Sequence, residues 1–395
     1  MRRQLLTWIV SATMLIGVPA ARADNVTAVV AGGTLKIKGD ADANTIALDT
    51  AALGADQIRV TPTGTTINGA PGAAVFSGFT GGAQIDLGEG DDTLTIDSVT
   101  IHGALKLALG PGDDTVTLTS LTVDEAIAVD LGSGNNALAV CSVTVTKALN
   151  IKVSPGTGTN LNAVAVCGST AANVNGTAIV IDSITAGGLS LKASKTAETV
   201  VLNDASIDGK STLALGGGSD SLSICSGTFN ASLAVKLGGS TSFTAQAACG
   251  ASTRSGGNAL VIDETDIGTN FTLKGSGEAD SNLLKNSNVG DNSKIDLGQG
   301  TNDILVDGGL TGESLTIKSG KGSDAVTVNN AGIGASLTVS AGAGSNAITV
   351  SGTTNIGKNL TVKTGNDNDT IDTTGAVVGG KTKIQHGKGT DTVTP

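Results

Sequence analysis

Aromatic residues are nearly missing from this chain. Of its 395 residues, none is Tyr, one is Trp and five are Phe, and the single Trp, Trp8, lies in an apolar stretch at the N-terminus. A conventional globular core draws heavily on aromatic side chains, whereas the narrow interior of a solenoid is filled by stacked Val, Ile and Leu. The composition therefore favours a long, thin core.

Positive charge is also scarce. Lys and Arg total 24 against 35 Asp and Glu. Loss of Arg2, Arg3 and Arg22 with a cleaved leader would leave 21 basic residues against 35 acidic ones, a net charge of −14. Proteins that bind nucleic acid present basic surfaces. The charge balance therefore argues against a nucleic-acid partner.

A long apolar run occurs once, at residues 5–18. It follows Arg2 and Arg3 and precedes Ala21-Arg22-Ala23, which is the charged, apolar, small-residue order of a secretory signal peptide. A membrane span would need about 20 apolar residues in a row. We predict a signal peptide at 1–23, no membrane span in the mature chain, and a secreted protein of the periplasm, the cell surface or the extracellular space. The twin-arginine and general export pathways both stay open.

What the chain has in abundance is a repeat. The segments GEGDDTLTIDSVTIHGALKLAL (88–109), GPGDDTVTLTSLTVDEAIAVDL (110–131) and GSGNNALAVCSVTVTKALNIKV (132–153) follow one another directly, each after 22 residues. Every unit carries three short apolar alternations separated by turns, and alternation of this kind indicates half-buried strands. The pattern predicts an all-β fold: a right-handed parallel β-helix with about 22 residues and three short strands per coil. Fourteen or fifteen coils would form a rod about 70 Å long at the usual strand spacing.

Aligned units place polar residues in two columns. Asx residues suit turns because they bond nearby backbone groups and tolerate unusual dihedral angles. The first column closes the glycine turn and comprises Asp92, Asp114, Asn136, Thr177, Glu198, Asp220, Asn258, Asp280, Asn302, Asp324, Asn346, Asp369 and Asp391. The second is predicted to follow the middle strand of each coil and comprises Asp97, Thr119, Cys141, Asp182, Asn203, Cys225, Asp263, Asp307, Asn329 and Ser351.

Two interruptions and one irregular region divide the chain. Residues 24–84 lack the repeat and are predicted to form irregular N-terminal coils that cap the β-helix of 85–395. Extra residues enter the glycine turn twice, and we predict inserted loops at about 154–176 and 239–257. A bare edge at the C-terminal end of the stack invites end-to-end self-association.

The four cysteines follow these insertions. Cys141 and Cys225 lie in the second polar column, and Cys167 and Cys249 lie in the inserted loops that follow them. An even number of cysteines in an exported chain favours disulfides, although four cysteines allow three pairings. We predict the bonds Cys141–Cys167 and Cys225–Cys249, each of which would pin a loop to the preceding coil. A four-thiolate zinc site is the poorer alternative.

Turns such as GEGDDTLTI and GPGDDTVTL resemble half of the nonapeptide repeat of hemolysin-type calcium-binding proteins. The chain as a whole, over about 84–395, resembles exported bacterial glycine-turn repeat proteins, some of which are adhesins. The resemblance implies calcium sites, best at Asp91, Asp92, Asp113 and Asp114, because Ca²⁺ takes several oxygen ligands. Only one such turn occurs per 22 residues, so a structural turn ladder is the favoured interpretation.

Catalysis is disfavoured by missing groups. Polysaccharide-active β-helices need a carboxylate cluster, or a basic residue beside a metal, in a sugar-binding groove. This chain has two His, only Arg59 and Arg254 after residue 23, and no Tyr to stack on sugars. A row of lysines on the last strand is interrupted by acidic and small residues and is read as a solvated face: Lys152, Lys192, Lys236, Lys274, Lys318 and Lys363.

A threonine column on the first strand resembles the ladders of ice-binding solenoids, but it is broken by Ala139, Val180 and Val261. The sequence therefore predicts a structural or adhesive, surface-binding rod that is not an enzyme and has no cofactor except possible Ca²⁺. Its partner would be an unidentified surface, glycan or protein, recognised by the inserted loops. A calcium-binding repeat protein is the main alternative, and a polysaccharide-active enzyme is the weaker one.

Overall fold

A computed structural model describes residues 25–155, 162–168, 170–239 and 245–395. The predicted signal peptide, 1–23, lies outside these residues, as do parts of both predicted loops. The described residues are all-β, without a helix, and form a β-solenoid of about 13 turns with coils about 22 residues apart. The predicted fold class is confirmed, and the prediction of fourteen or fifteen coils was too high.

Each regular coil contains three strands, numbered here in chain order. The first strands are β8 (Thr93–Asp97), β11 (Thr115–Thr119), β14 (Ala137–Cys141), β18 (Thr177–Asp182), β20 (Glu198–Asn203), β23 (Ser221–Cys225), β28 (Asn258–Asp263), β31 (Asp280–Lys285), β34 (Asp303–Asp307), β37 (Ala325–Asn329), β40 (Ala347–Ser351), β43 (Thr370–Asp372) and β46 (Thr392–Thr394). The short second strands are β9 (Thr100–Ile101), β12 (Thr122–Val123), β21 (Ser206–Ile207), β24 (Thr228–Phe229), β29 (Asp266–Ile267), β32 (Asn288–Val289), β35 (Leu310–Thr311), β38 (Gly332–Ile333), β41 (Asn355–Ile356) and β44 (Val377–Val378).

The third strands are β10 (Leu105–Ala108), β13 (Ile127–Asp130), β22 (Ser211–Ala214), β25 (Leu233–Lys236), β30 (Phe271–Lys274), β33 (Ser293–Asp296), β36 (Leu315–Lys318), β39 (Leu337–Ser340), β42 (Leu360–Lys363) and β45 (Thr382–Gln385). In two coils the second and third strands merge into one, β15 (Thr144–Lys152) and β19 (Thr185–Lys192).

Equivalent strands stack in parallel and in register. Leu94 of β8 pairs with Val116 of β11, and Val116 pairs with Leu138 of β14. Their side chains, with those of the second and third strands, are buried in one continuous aliphatic core. The alternating burial of strands such as Thr93–Asp97 follows from the pleat, because successive side chains point to opposite faces of a sheet.

The corner after each first strand requires a left-handed backbone. The residue there has φ of 55° at Ser98, 54° at Ser120 and 55° at Ser142. Non-glycine residues adopt this conformation at a cost, and short polar side chains tolerate it best. Serine occupies this corner in five coils, and Asp204, Glu264, Asn286, Asn330 or a glycine takes its place in others. The second polar column ends the first strand, at Asp97 and Thr119 for example, and so precedes this corner instead of following the middle strand as predicted.

The N-terminal region is built differently. It contains β1 (Asn25–Ala31), β2 (Thr34–Lys38), β3 (Thr45–Asp49), β4 (Gln57–Pro62), β5 (Thr66–Ile67), β6 (Ala74–Ser77) and β7 (Ala83–Asp86). Strands β2 and β3 stack in parallel on β7 and β8, whereas β1–β2, β3–β4 and β4–β6 pair antiparallel. The first-strand sheet therefore ends in antiparallel strands that lie over its open edge.

Candidate functional site

The glycine turns hold a hydrogen-bonded ladder of buried polar side chains. Asp92 and Asp114 are each 1% exposed, and Asn136 is fully buried. The backbone N–H of Asp114 donates to Oδ1 of Asn136 at 2.8 Å, and the same bond recurs from Asp324 to Asn346 at 3.1 Å. Most first-column side chains thus accept a backbone N–H from the coil before them, whereas Thr177 Oγ1 has no hydrogen-bond partner.

Burial changes the acidity of this ladder. Burial raises the pKa of Asp92 to about 6 and that of Asp114 to about 7. Burial, and next the charge of Glu198, raises the pKa of Asp220 to about 9, while burial also raises the pKa of Glu198. Carboxyl groups held away from water favour the neutral form. Several rungs of the ladder therefore hold protons at mildly acidic pH.

The four predicted calcium ligands point to opposite sides of the turn. Asp92 and Asp114 lie inside, whereas Asp91 is exposed and Asp113 is half-buried. On the outer side, Oδ1 of Asp91 accepts the backbone N–H of Asp113 at 2.8 Å. Across the described ranges, no group of three or more His, Cys, Asp or Glu side chains is arranged to hold a metal ion. These oxygens serve the turn ladder, and calcium binding stays a prediction.

The four cysteines come together in the two predicted pairs. The sulfur atoms of Cys141 and Cys167 lie 2.01 Å apart, as do those of Cys225 and Cys249. The chain thus has two disulfides that join first strands to inserted segments. These pairs span 26 and 24 residues along the chain.

Each inserted segment contains a β-hairpin. The first hairpin consists of β16 (Asn162–Cys167) and β17 (Thr170–Asn175), and the second of β26 (Ala245–Cys249) and β27 (Ser252–Gly256). Both pair antiparallel and lie on the outer face of the first-strand sheet. The first contacts β14, β18 and β20, and the second contacts β23, β28 and β31. Because β20 and β23 are neighbours, the hairpins lie side by side. We call them together the hairpin platform.

The seat of the first hairpin is apolar. Ala165 and Cys167 pack on Ala139 and Val180, which are 3% and 0% exposed. These last two positions interrupt the outward threonine column. The interruption is visible in the sequence, but its cause is visible only in the structure: small apolar residues lie where a second layer covers the sheet. The sequence signal for this covering layer was an apolar residue at a strand position whose side chain points outward.

The second hairpin adds polar anchors. Ser221 Oγ donates to the carbonyl of Gln246, and the N–H of Ala248 donates to Ser223 Oγ at 2.9 Å. These bonds occupy part of the outer edge of β26, which limits pairing with another strand there.

A second polar contact fixes β27. Ser252 Oγ donates to Asp263 Oδ2 at 2.6 Å, and Lys285 Nζ donates to Ser252 Oγ at 3.0 Å. Asp263 is 9% exposed and Ser252 5%. A buried carboxylate needs such partners to offset its loss of water, so this trio is an anchor between hairpin and solenoid.

The chain matches no family model, no curated protein and no solved structure. The resemblance to glycine-turn repeat proteins, which was inferred from the turns and the periodicity, therefore stays a prediction. No helix long and apolar enough to span a membrane occurs in the described part of the chain.

The platform turns a defined surface outward. Gln246 and Ala248 alternate with the buried Ala245 and Ala247, and Val166 is 46% exposed. Such alternation means that one face of each hairpin is seated on the solenoid and the other faces solvent. A seated, cross-linked hairpin loses little conformational entropy when its outer face binds a partner.

Proposed function

We propose that this protein is exported and acts without catalysis as a stiff rod that binds a surface through the hairpin platform. The observation that carries the proposal is the side-by-side seating of two disulfide-linked hairpins on one face of the solenoid. Solenoids bind along their faces and through segments inserted into them. The core beneath is filled by stacked side chains, mostly aliphatic but including Phe229 and Phe271, which favours recognition on the outside.

The platform is tested by turn-replacement variants. Residues 154–176 or 238–257 are replaced by Gly-Ser-Gly-Asn, the turn at 132–135. Cys141→Ser and Val180→Thr accompany the first replacement, and Cys225→Ser and Val261→Thr the second, because these side chains lose their cover. We expect cooperative unfolding to persist in both variants.

The probes are arrays of immobilised glycans and extracellular proteins. We expect the wild-type chain to bind at least one probe and each folded variant to lose at least tenfold in affinity. Binding that survives both replacements would contradict a recognition role for the platform. Chain shortening or new reducing ends in the glycan wells would support the enzyme alternative instead.

Export is tested separately. Residues 1–23 fused to a phosphatase that is active only outside the cytoplasm should yield activity and a product cleaved before Asp24. A matched fusion carrying Arg2→Glu and Arg3→Glu should be exported less, because the charged segment guides insertion. A fusion that stays uncleaved in the cytoplasm would contradict the proposal that the protein is exported.

The calcium-binding alternative has one observation in its favour. Oδ2 of Asp92 and Oδ2 of Asp114 are buried without a hydrogen-bond partner, one coil apart. Carboxylates at such spacing invite a cation or a proton. The raised pKa values of both groups favour the proton, and melting curves with calcium and with a chelator decide between the two.

A further inference from the structure

Six lysines lie in one line along the solenoid. A surface on which positive and negative charges are mixed at random does not explain this alignment. In-register pairing aligns one outward position at the end of the third strand over nine consecutive coils, from β15 to β42. Those nine positions hold one acidic residue, Asp296, and six exposed lysines: Lys152, Lys192, Lys236, Lys274, Lys318 and Lys363. The column continues to Asp130 before Lys152 and to Gln385 after Lys363, and these two residues bound the basic part. We call this set the lysine file.

The file concentrates charge of the scarce sign. Its nine positions carry a net charge of +5, whereas the chain as a whole carries −11. Within the described ranges, Lys152 is the only member in an ion pair, with Asp130 at 2.6 Å. The other five ammonium groups are therefore available to a ligand.

The register also places like charges against each other. Lys152 pairs directly with Lys192, and Lys236 with Lys274, on adjacent parallel strands. Like charges opposite one another in a sheet are destabilising. A bound chain of anions would relieve that repulsion, most at Lys236 and Lys274, because Lys152 is already paired with Asp130.

The file is one residue wide and, at the ordinary strand spacing, about 40 Å long. Six of the nine neighbouring outward positions carry hydroxyl groups, at Ser190, Thr212, Thr272, Thr316, Thr338 and Thr361, and the other three are Asn150, Ala234 and Lys294, which adds a further ammonium group. A narrow basic line beside hydroxyl groups matches a single extended polyanion that also offers hydroxyls. It matches a planar membrane or duplex DNA less well, because the acidic remainder of the surface would repel a broad anionic partner.

The residue types narrow the ligand further. The file holds no aromatic side chain that could stack on a nucleic-acid base, so a single-stranded nucleic acid fits it less well than a sugar chain does. We propose that the lysine file binds a linear, anionic polysaccharide laid along the rod. This site lies on the third-strand sheet, away from the hairpin platform, so it goes beyond the proposed function.

Alginate, a linear uronate polymer, is the probe, with uncharged dextran as its control. Binding is measured with a chelator present so that calcium bridges are excluded. The test variant is Lys192→Gln/Lys236→Gln/Lys274→Gln. The matched control, Lys210→Gln/Lys358→Gln/Lys381→Gln, removes the same charge from exposed turns at the other end of the third strands.

We expect the file variant to bind alginate about tenfold more weakly and the turn variant to stay within about twofold. Wild-type affinity should fall with added salt, and the turn-replacement variants of the platform should bind as wild type does. Equal losses in both triple variants, unmeasurable wild-type binding, or preference for duplex DNA or anionic vesicles over alginate would each overturn the proposal. If the hairpin platform proves to bind nothing, the expected alginate affinities of the wild-type chain and of both triple variants stay the same.

Discussion

The backbone N–H of Asp92 donates to Oδ1 of Asp114, one coil further along, at 2.9 Å, while Oδ2 of each side chain is buried without a partner. The two carboxyl groups therefore support the turn through one oxygen and lack compensation for the other. That imbalance makes the solenoid sensitive to protons.

Stability should fall as the pH rises through neutrality. The folded-state pKa values of Asp92 and Asp114 are raised to about 6 and about 7, above the value of about 3.9 for an unfolded chain. Their stabilising contribution is complete below the unfolded pKa and is lost as the pH rises through the folded values. We expect a higher melting temperature at pH 5 than at pH 8.

Asp114→Asn checks the cause of that slope. Asn occupies the same rung at Asn136, Asn302 and Asn346, so the substitution fits. It should stabilise the protein at pH 8 by roughly 1–3 kcal/mol and flatten the pH dependence. Asp91→Asn, on the outer side of the turn, is the matched control, and an equal effect there would contradict the argument.

Calcium and a chelator should give melting curves that agree within about 1 °C if the ladder works by hydrogen bonds and protons alone. A calcium-dependent rise in melting temperature would favour the calcium-binding alternative. Such a rise should then disappear in Asp92→Asn and Asp114→Asn, and survive in Asp296→Asn if binding is specific to the glycine turn.

Removing one disulfide should cost stability in its own module. Cys141→Ser/Cys167→Ser opens a link spanning 26 residues, which the chain-entropy model values at about 3 kcal/mol. Hydrogen exchange should show faster opening of the first hairpin, with the second hairpin unchanged. Cys225→Ser/Cys249→Ser should show the reverse, and uniform destabilisation by either variant would argue against independent modules.

The glycine stack should tolerate no side chain. A Cβ at Gly110 would lie 1.6 Å from the carbonyl oxygen of Gly88, whereas one at Gly250 would meet nothing within 4 Å. Both have positive φ, of 91° and 57°. We expect Gly110→Ala to cost at least roughly 3 kcal/mol and Gly250→Ala about 1 kcal/mol in chemical denaturation. If both substitutions lowered the free energy of unfolding equally, the loss would come from the positive φ alone and not from the contact with Gly88.

Apolar residues beneath the hairpin platform should contribute to stability only while a hairpin covers them. Val261 is fully buried under the second hairpin, and Val261→Thr should cost about 1–3 kcal/mol by burying an unpaired hydroxyl. Thr327→Val, on an uncovered part of the same column, should change stability by less than about 0.5 kcal/mol. In the variant that lacks the second hairpin, the cost of Val261→Thr should vanish.

Much of the fold was legible in the repeat. Because the coils stack in register, every structural requirement of a coil recurs after 22 residues. The 22-residue spacing therefore predicts that Leu94 pairs with Val116 and that Asp92 lies next to Asp114. The cysteine pairs followed from the same alignment, because each pair occurs where the repeat is interrupted.

The antiparallel N-terminal strands and the hairpins carried no such periodicity. Pairing of Ile58 with Phe76 or the seating of Ala247 on Val261 depends on contacts made once. The lysines were visible as a row, but their spacing along the chain hid how the register would juxtapose Lys236 and Lys274.

The sequence by itself thus determined the coil length, the strand order within a coil, the buried polar ladder and the cysteine partners. Apart from the cysteine pairs, each of these features recurs once per coil along the solenoid axis, so the residues of a few repeats are enough to predict it. Tertiary structure alone decided that the insertions fold back as a second layer, which outward residues they cover, and which charges share a face. Those outcomes depend on the packing of unique segments against the stack, where non-local contacts outweigh local pattern.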